Sequence, residues 1–297
     1  METRILHYFL TIARLGTISA AARELHVAQP TLSRQIQQLE AQLGLPLFNR
    51  ERHRMVLTKA GLTYQLHVQQ ILTALERANQ LVKNSNNAEL TGTLSTGCVE
   101  SNVTNWLAPR LVHFHHAHPH VVIDTYDADG NAIKDRLDQG LLEIGIVSTP
   151  INAAKYHAVR LPVNDRWGVA VPATSPWTKQ ASVDVAALVN QPLIVPHRSL
   201  VKTELTDWLQ TGDQPLRIVG EYNLLTNAVY LAAAGLGTLV CIAGVTLPPD
   251  SGLTFIPFFP QHQLKHFLIW RKGVPLSAPA QALITFLKSE ITTSVSE

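Results

Sequence analysis

Cysteine is nearly absent from this 297-residue chain, with Cys98 and Cys241 as its whole complement. Two thiols do not make a disulfide framework, and a reducing cytoplasm is the expected compartment. Long hydrophobic runs are missing too, although 46% of residues are hydrophobic, so no membrane span is expected. Met1–Glu2–Thr3–Arg4 leads straight into an amphipathic stretch, so no signal peptide is expected. Charged residues make up only 15% and nearly cancel, the composition of a soluble globular protein. The length suits two or three domains better than one core.

The formal net charge of +2 hides an asymmetry. Residues 1–87 carry ten Lys and Arg against five Asp and Glu, and the remainder carries fourteen against seventeen. A basic front on a mildly acidic body fits a nucleic-acid-binding head joined to a domain that does not touch phosphates.

That head reads as helix-turn-helix. Ile5, Tyr8, Phe9, Ile12 and Ala13 recur at helical spacing, giving a first helix over Arg4–Leu15 that Gly16 stops. Thr17 or Ser19 can cap the next, whose Ala20, Ala21 and Ala22 permit close packing. Gln29–Pro30 opens a third helix, with Leu32, Ile36, Leu39 and Leu43 as its buried stripe and Gly44 as its C-cap. Gln29, Pro30, Thr31, Ser33, Arg34 and Gln37 then fall on or beside the outer face. Arg pairs with guanine and Gln with adenine, while Ser and Thr serve phosphates or either base. For any one of them an ordinary polar helix face is the alternative. Beyond Phe48, Met55 and Leu57 flank a turn carrying Arg50, Arg52, His53 and Arg54, a candidate β-wing against backbone phosphates, with Thr58 beside it.

Ala20–Leu25, Gln29–Ile36, Leu39–Glu40, Leu43–Gly44, Leu47–Phe48, Arg50 and Leu57–Gly61 together resemble the winged helix-turn-helix of LysR-type transcriptional regulators. The likeness covers roughly the first 60 residues. The family usually places a second basic residue three after Arg50, where this chain has His53 between Arg52 and Arg54.

From Gly61 to Ala88 there is no proline, and Tyr64, Val68, Ile71, Leu75, Ala78 and Val82 form a heptad seam. Either a partner helix or the helix's own domain covers that seam. Repeated DNA half-sites favour the partner, and the resemblance implies dimers through this helix and homotetramers. Asn84–Asn87 reads as a hinge.

Beyond Leu90 short apolar strands alternate with helices. Strands are expected at Leu94–Cys98, His120–Tyr126, Glu143–Ser148, Trp167–Val171, Leu193–Val195, Leu216–Gly220 and Thr238–Cys241. Helices are expected at Asn102–His116, Ala132–Gln139, Leu200–Gln210 and Asn223–Ala234. This alternation predicts an α/β body with mainly parallel sheets. The overall expectation is an α+β multidomain chain: a head over 1–60, a linker helix over 61–88 and a regulatory domain over 89–297. The resemblance further implies a periplasmic-binding-protein-like body of two α/β subdomains, 89–161 with 266–297 and 162–265, crossing over near Arg160–Asn164 and Gln263–Phe267. A small-molecule effector would bind between them.

Effector candidates follow from position beyond strand ends. They are Ser101 and Asn102 after the first strand, Gly130 and Asn131 after the second, and Ser148 and Thr149 after the third. His197, Arg198 and Ser199 complete the set in the second subdomain. The resemblance singles out Ser101 as the family's usual effector-contacting hydroxyl. Arg198 suits an anionic carboxylate, or is a surface arginine.

No cofactor or metal is expected. His113, His115, His116, His118 and His120 lack companions at ligand spacing and read as a solvated helix end. Cys98 is either a redox sensor or a small buried thiol, and no neighbouring Lys or Arg in sequence favours the first. The chain therefore reads as a sequence-specific regulator of double-stranded DNA controlled by a small molecule. The alternative is a DNA-binding head fused to an α/β enzyme, which would need a nucleophile–base pair or a metal set.

Overall fold

The computed structural model describes residues 2–51, 54–84, 89–197, 207–208, 216–244 and 247–294. The chain divides into two compact units, Met1–Asn86 with Gln139–Leu141, and Asn87–Asp138 with Leu142–Glu297.

In the first unit, local chemistry sets several of the helix boundaries. α1 (Thr3–Leu15) stops at Gly16, whose φ of +69° is left-handed and whose N–H donates to Ile12 O. α2 (Ile18–Glu24) starts where the Thr17 hydroxyl accepts the Ala20 N–H. α3 (Gln29–Leu43) has Pro30 in its first turn and ends at Gly44, with φ +71°. A hairpin of β1 (Phe48–Glu51) and β2 (Arg54–Leu57) follows, running from the Phe48↔Leu57 pair to Glu51↔Arg54. α4 (Lys59–Asn84) then extends for about 39 Å at 1.5 Å per residue.

Phe9, Ile12, Leu32, Ile36, Leu39, Leu47 and Val68 are buried together, and the Phe9 ring packs between Phe48 and Tyr64. Two expectations need correction. Leu43 is exposed, because the stripe of α3 meets the core only as far as Leu39. The α4 seam is also divided. Val68 and Tyr64 pack within their own unit, whereas Ile71 and Leu75 are exposed. The seam thus serves the head's core first, since α1 and the hairpin reach only its opening turns.

The second unit is built on one ten-stranded sheet among the described residues. Its first lobe contains β3 (Gly92–Cys98), β4 (Val121–Asp127) and β5 (Ile144–Ser148), with α5 (Val103–Ala117) and α6 (Gly130–Asp138). The chain returns to it with α8 (Ala278–Ser294), whose approach is fixed by buried Glu143 accepting the Ser277 N–H at 2.7 Å and hydroxyl at 2.9 Å. Leu94, Ile144, Phe114, Leu268 and Leu287 share this lobe's core.

The second lobe has β7 (Val183–Asp184), β8 (Leu193–Pro196), β9 (Ile218–Tyr222), β10 (Thr238–Ile242), β11 (Leu253–Phe259) and the helix α7 (Leu225–Ala233). Strand alternation sends Val169, Val195 and Val240 to one core. It sends Ala170, Ile194 and Leu239 to another, under Ala228 and Val229 of α7.

Two long strands run through both lobes: β6 (Tyr156–Pro172) and β12 (Gln263–Arg271), paired antiparallel with a bulge between Lys265 and Phe267. Buried His266 and Asp165 bond across them at 2.7 Å, beside that bulge. These strands correct the expectation of a mainly parallel sheet. β3–β4, β3–β5, β7–β11, β8–β9 and β8–β10 are parallel, but β6 is antiparallel to β10, β11 and β12, and β12 to β5, so the sheet is mixed. Trp167–Val171 is only the end of a 17-residue strand. The expected helix over Leu200–Gln210 lies outside the described residues, apart from Asp207 and Trp208.

Candidate nucleic-acid interface and effector cleft

Burying Leu32, Ile36 and Leu39 leaves the opposite side of α3 in solvent. Gln29, Pro30, Thr31, Arg34 and Gln37 are all exposed, and Ser33 is half-buried. The far end of the same helix holds the hairpin. Glu40 Oε1 accepts the Leu47 N–H at 2.8 Å and the Phe48 N–H at 3.0 Å. Arg50 and Arg54 are exposed on the hairpin strands, while Arg52 and His53 lie outside the described residues. Thr58, expected at the DNA, has another task. Its hydroxyl donates to Pro46 O at 2.8 Å and accepts the Gly61 N–H at 2.9 Å, capping α4.

In the second unit the lobes face each other across a cleft. Its inner chamber, about 90 Å3, is lined on one side by Val99, Ser101 and Gly130 and on the other by Trp167, Tyr222 and Leu225. Of the effector candidates, Ser101, Gly130 and Ser148 meet here, all buried. The Ser101 hydroxyl accepts the Val103 N–H at 3.2 Å, so it caps the first turn of α5 as well as facing the chamber. Asn131 and His197 line a separate outer groove of about 440 Å3, where His197 Nδ1 bonds Glu221 at 2.9 Å. Two candidates are corrected. Thr149 lines neither space, because β5 delivers only Ser148 to the chamber before the chain turns away. Asn102, half-buried just ahead of α5, bonds Asn105 at 2.7 Å and is not a chamber residue. Arg198 and Ser199 lie outside the described residues.

Other groups at this cleft have no signature in the sequence. Glu100 precedes Ser101 and bonds residues 125 and 126 positions further on. Asp129 accepts the Asn131 and Ala132 N–H groups, which starts α6 two residues before the expected Ala132. The Tyr222 hydroxyl donates to Val240 O at 2.8 Å, and burial pushes this phenol well above its usual range. A carboxylate or hydroxyl just before a helix was the only available signal, and it does not name a partner.

Burial favours the second reading of Cys98, a small buried thiol. It pushes the thiol up to about 11, outweighing the Thr104 hydrogen bond that lowers it, with the Asp127 charge adding to the rise. Cys241, wholly enclosed, is pushed up to about 12. With the thiolate scarce at neutral pH, alkylation of Cys98 by iodoacetamide at pH 7.5 is expected to be roughly a hundredfold slower than in the urea-unfolded chain. Equal rates, followed by mass spectrometry, would contradict the buried-thiol reading. The histidines around α5 have separate neighbours: His115 Nδ1 lies 3.1 Å from Val121 O, and His120 pairs with Glu89.

A winged helix-turn-helix combined with a two-lobed α/β body is the build of a ligand-controlled DNA-binding regulator. Sequence profiles agree unit by unit. "Bacterial regulatory helix-turn-helix protein, lysR family" matches residues 3–62, and "LysR substrate binding domain" matches residues 87–292. The chain belongs to the LysR family of transcriptional regulators. It is similar to the HTH-type transcriptional regulator AlsR of Bacillus subtilis, at 26% identity over 97% of this chain and 91% of that one. IlvR of Caulobacter vibrioides is 27% identical over 92% and 93%. Among solved structures, CbnR superimposes with a TM-score of 0.77 over 98% of this chain and 99% of its own, at 22% identity. CbnR in complex with its target DNA gives 0.75, at 23% identity over 99% and 100%. The protein is thus a DNA-binding regulator with an effector-binding domain, not an enzyme. Among the described residues no helix is long and apolar enough to cross a membrane.

Proposed function

We propose that α3 reads operator bases through Gln29, Thr31, Ser33, Arg34 and Gln37, that Pro30 sets its entry, and that Arg50, Arg52, His53 and Arg54 of the wing grip phosphates. The observation that carries this reading is the exposed polar first turn of α3, presented by a helix whose other face is buried and whose far end is bonded to the hairpin. The expected compartment is the cytoplasm, where the operator is.

Operator sites selected from a random DNA library supply the test. Arg34→Ala should relax base preference at one position, by roughly tenfold in relative affinity. Arg50→Ala should weaken all sequences alike and reduce the slope of log K against log salt by about one. Uniform weakening by Arg34→Ala would remove that residue from base reading.

The regulatory domain over 89–297 takes a small-molecule effector in its cleft, with Ser101, Gly130 and Ser148 at the chamber and Asn131 and His197 at its outer groove. An anionic effector is the class to test first, because Arg198 follows His197 in the sequence. A binder found by thermal-shift screening of a metabolite collection should lose its effect on DNA binding in Ser101→Ala; a full response in that variant would exclude Ser101.

Assembly follows from what remains uncovered. Ile71 and Leu75 lie exposed on α4, which supports dimerisation through this helix. Val112 and Val122 on the α5–β4 face, and Tyr230 and Leu231 on α7, are exposed apolar groups suited to a second contact, as a tetramer requires.

A further inference from the structure

The inner chamber alone is too small for an effector in this conformation, and a larger space of about 630 Å3 lies outside it, along Glu100, Ser101, Thr104, Asp127, Thr226 and Gly244. About 90 Å3 accommodates a few waters, whereas pockets for small organic ligands run to about 300–1,000 Å3. Among the described residues, the lobes meet beside the inner chamber at Asn102 and at Glu100. Asn102, ahead of α5, lies so near Gly244, beyond β10, that a Cβ on Gly244 would stand 2.5 Å from the Asn102 Cβ. Next to that contact, Glu100 reaches across to α7. Its Oε2 accepts the Leu225 N–H at 2.5 Å and its Oε1 accepts the Thr226 hydroxyl at 2.6 Å.

The chemistry of that bond is specific. The first N–H groups of a helix lack intrahelical acceptors and carry partial positive charge, so a carboxylate complements them. α7 has no cap of its own, because Leu224 stands at its N-cap position and offers no acceptor. α6 is capped by Asp129 from its own lobe. Glu100 does the same work for α7 from the opposite lobe, so the cap can form only when the cleft is shut.

We propose that Glu100 is a latch: its carboxylate, seated on α7 from the facing lobe, holds the cleft closed, and a carboxylate effector gains the cleft by exchanging with it. This rests on the effector reading of the cleft and specifies how that site is guarded. Glu100 stands in for the ligand's own anionic group, and α7 exchanges an internal carboxylate for an external one.

Hydrogen exchange of the full-length regulator, without DNA or any effector, tests this. Glu100→Ala should speed exchange roughly tenfold at Asn223–Val229, the loss expected for a charged cap. It should also speed exchange at Ala128–Ile133, which lines the chamber in the other lobe far from Glu100 in sequence and which loss of the α7 cap alone would not move. Acetate is the probe for the exchange step. At about 0.2 M it should slow both segments in the variant beyond equal sodium chloride, while leaving the parent chain as it is. Acceleration confined to α7, or acetate acting no better than chloride, would overturn the proposal. Glu100→Gln keeps a carbonyl acceptor without the charge, and serves if the alanine variant does not fold. Its exchange should lie between the other two, and parent-like rates in it would overturn the role of charge. Because neither DNA nor effector enters, failure here leaves the Ser101 test of the effector site standing.

Discussion

Gly61→Ala is expected to destabilise the N-terminal unit by about 3 kcal/mol, the upper part of the range for overpacking. Helix propensity alone predicts the opposite, a gain of about 1 kcal/mol for alanine inside α4. Geometry decides the sign. A Cβ on Gly61 would stand 2.1 Å from Leu47 O and 2.9 Å from Leu57 Cδ2. The Leu57 methyl can rotate away, but the carbonyl is backbone and already accepts the Thr58 N–H at 2.9 Å. Relieving the clash means backing α4 away from the turn before β1, which also unseats Tyr64 and Val68 from the core around Phe9. Against a typical total of about 5–15 kcal/mol, that loss is large. Urea denaturation of the purified variant measures it, with loss of operator binding as the companion readout. A variant as stable as the parent would mean that α4 does not pack this closely on Leu47.

The N-terminal unit was the most legible part of the sequence because its signals are local. Thr17, Pro30, Gly16 and Gly44 each act within a few residues of the boundary they set, so α1, α2 and α3 lie close to where spacing puts them. Seams were less legible. The heptad of α4 fits a partner helix and the head's own core equally well, and Val68 and Ile71 take different answers on adjacent turns. Leu43 failed for a related reason: a stripe continues in sequence after the surface it packs against has ended.

In the body, alternation found the strands that helices follow and missed those that close the sheet. β11 and β12 are joined by a short turn at Pro260 without a helix between them, and β6 continues straight through the crossover. The cleft divides in the same way. That Ser101, Gly130 and Ser148 line the chamber is legible because position after a strand is a local property. Glu100 and Tyr222 were missed because their roles depend on partners from distant segments. A carboxylate in a loop says nothing about which helix, 125 residues later, it will cap.

The second large effect concerns the bond between the DNA-reading helix and the wing. Glu40→Ala is expected to lower stability by about 3 kcal/mol and operator affinity by at least about tenfold. Leu47 and Phe48 are buried, so their N–H groups cannot turn to water once the Glu40 carboxylate is gone. Two stranded donors cost about 1–3 kcal/mol each, which sets the stability figure. The affinity loss has a different origin. Glu40 belongs to the same helix as Arg34, and Phe48 begins the strand that carries Arg50. Without the bond, base-reading and phosphate-gripping residues no longer share a rigid support, and their contacts cease to reinforce each other. Glu40→Gln separates this from a general need for charge. Its amide oxygen can occupy the place of Oε1 and accept both N–H groups, more weakly than a carboxylate does. It should therefore recover most of the stability and most of the affinity. Binding measured at two salt concentrations adds a further check: the alanine variant should show a shallower salt slope, because wing phosphates are lost, and the glutamine variant a parent-like one. Equal damage from both substitutions would mean that the charge of Glu40, not its acceptance of the Leu47 and Phe48 N–H groups, is what the head requires.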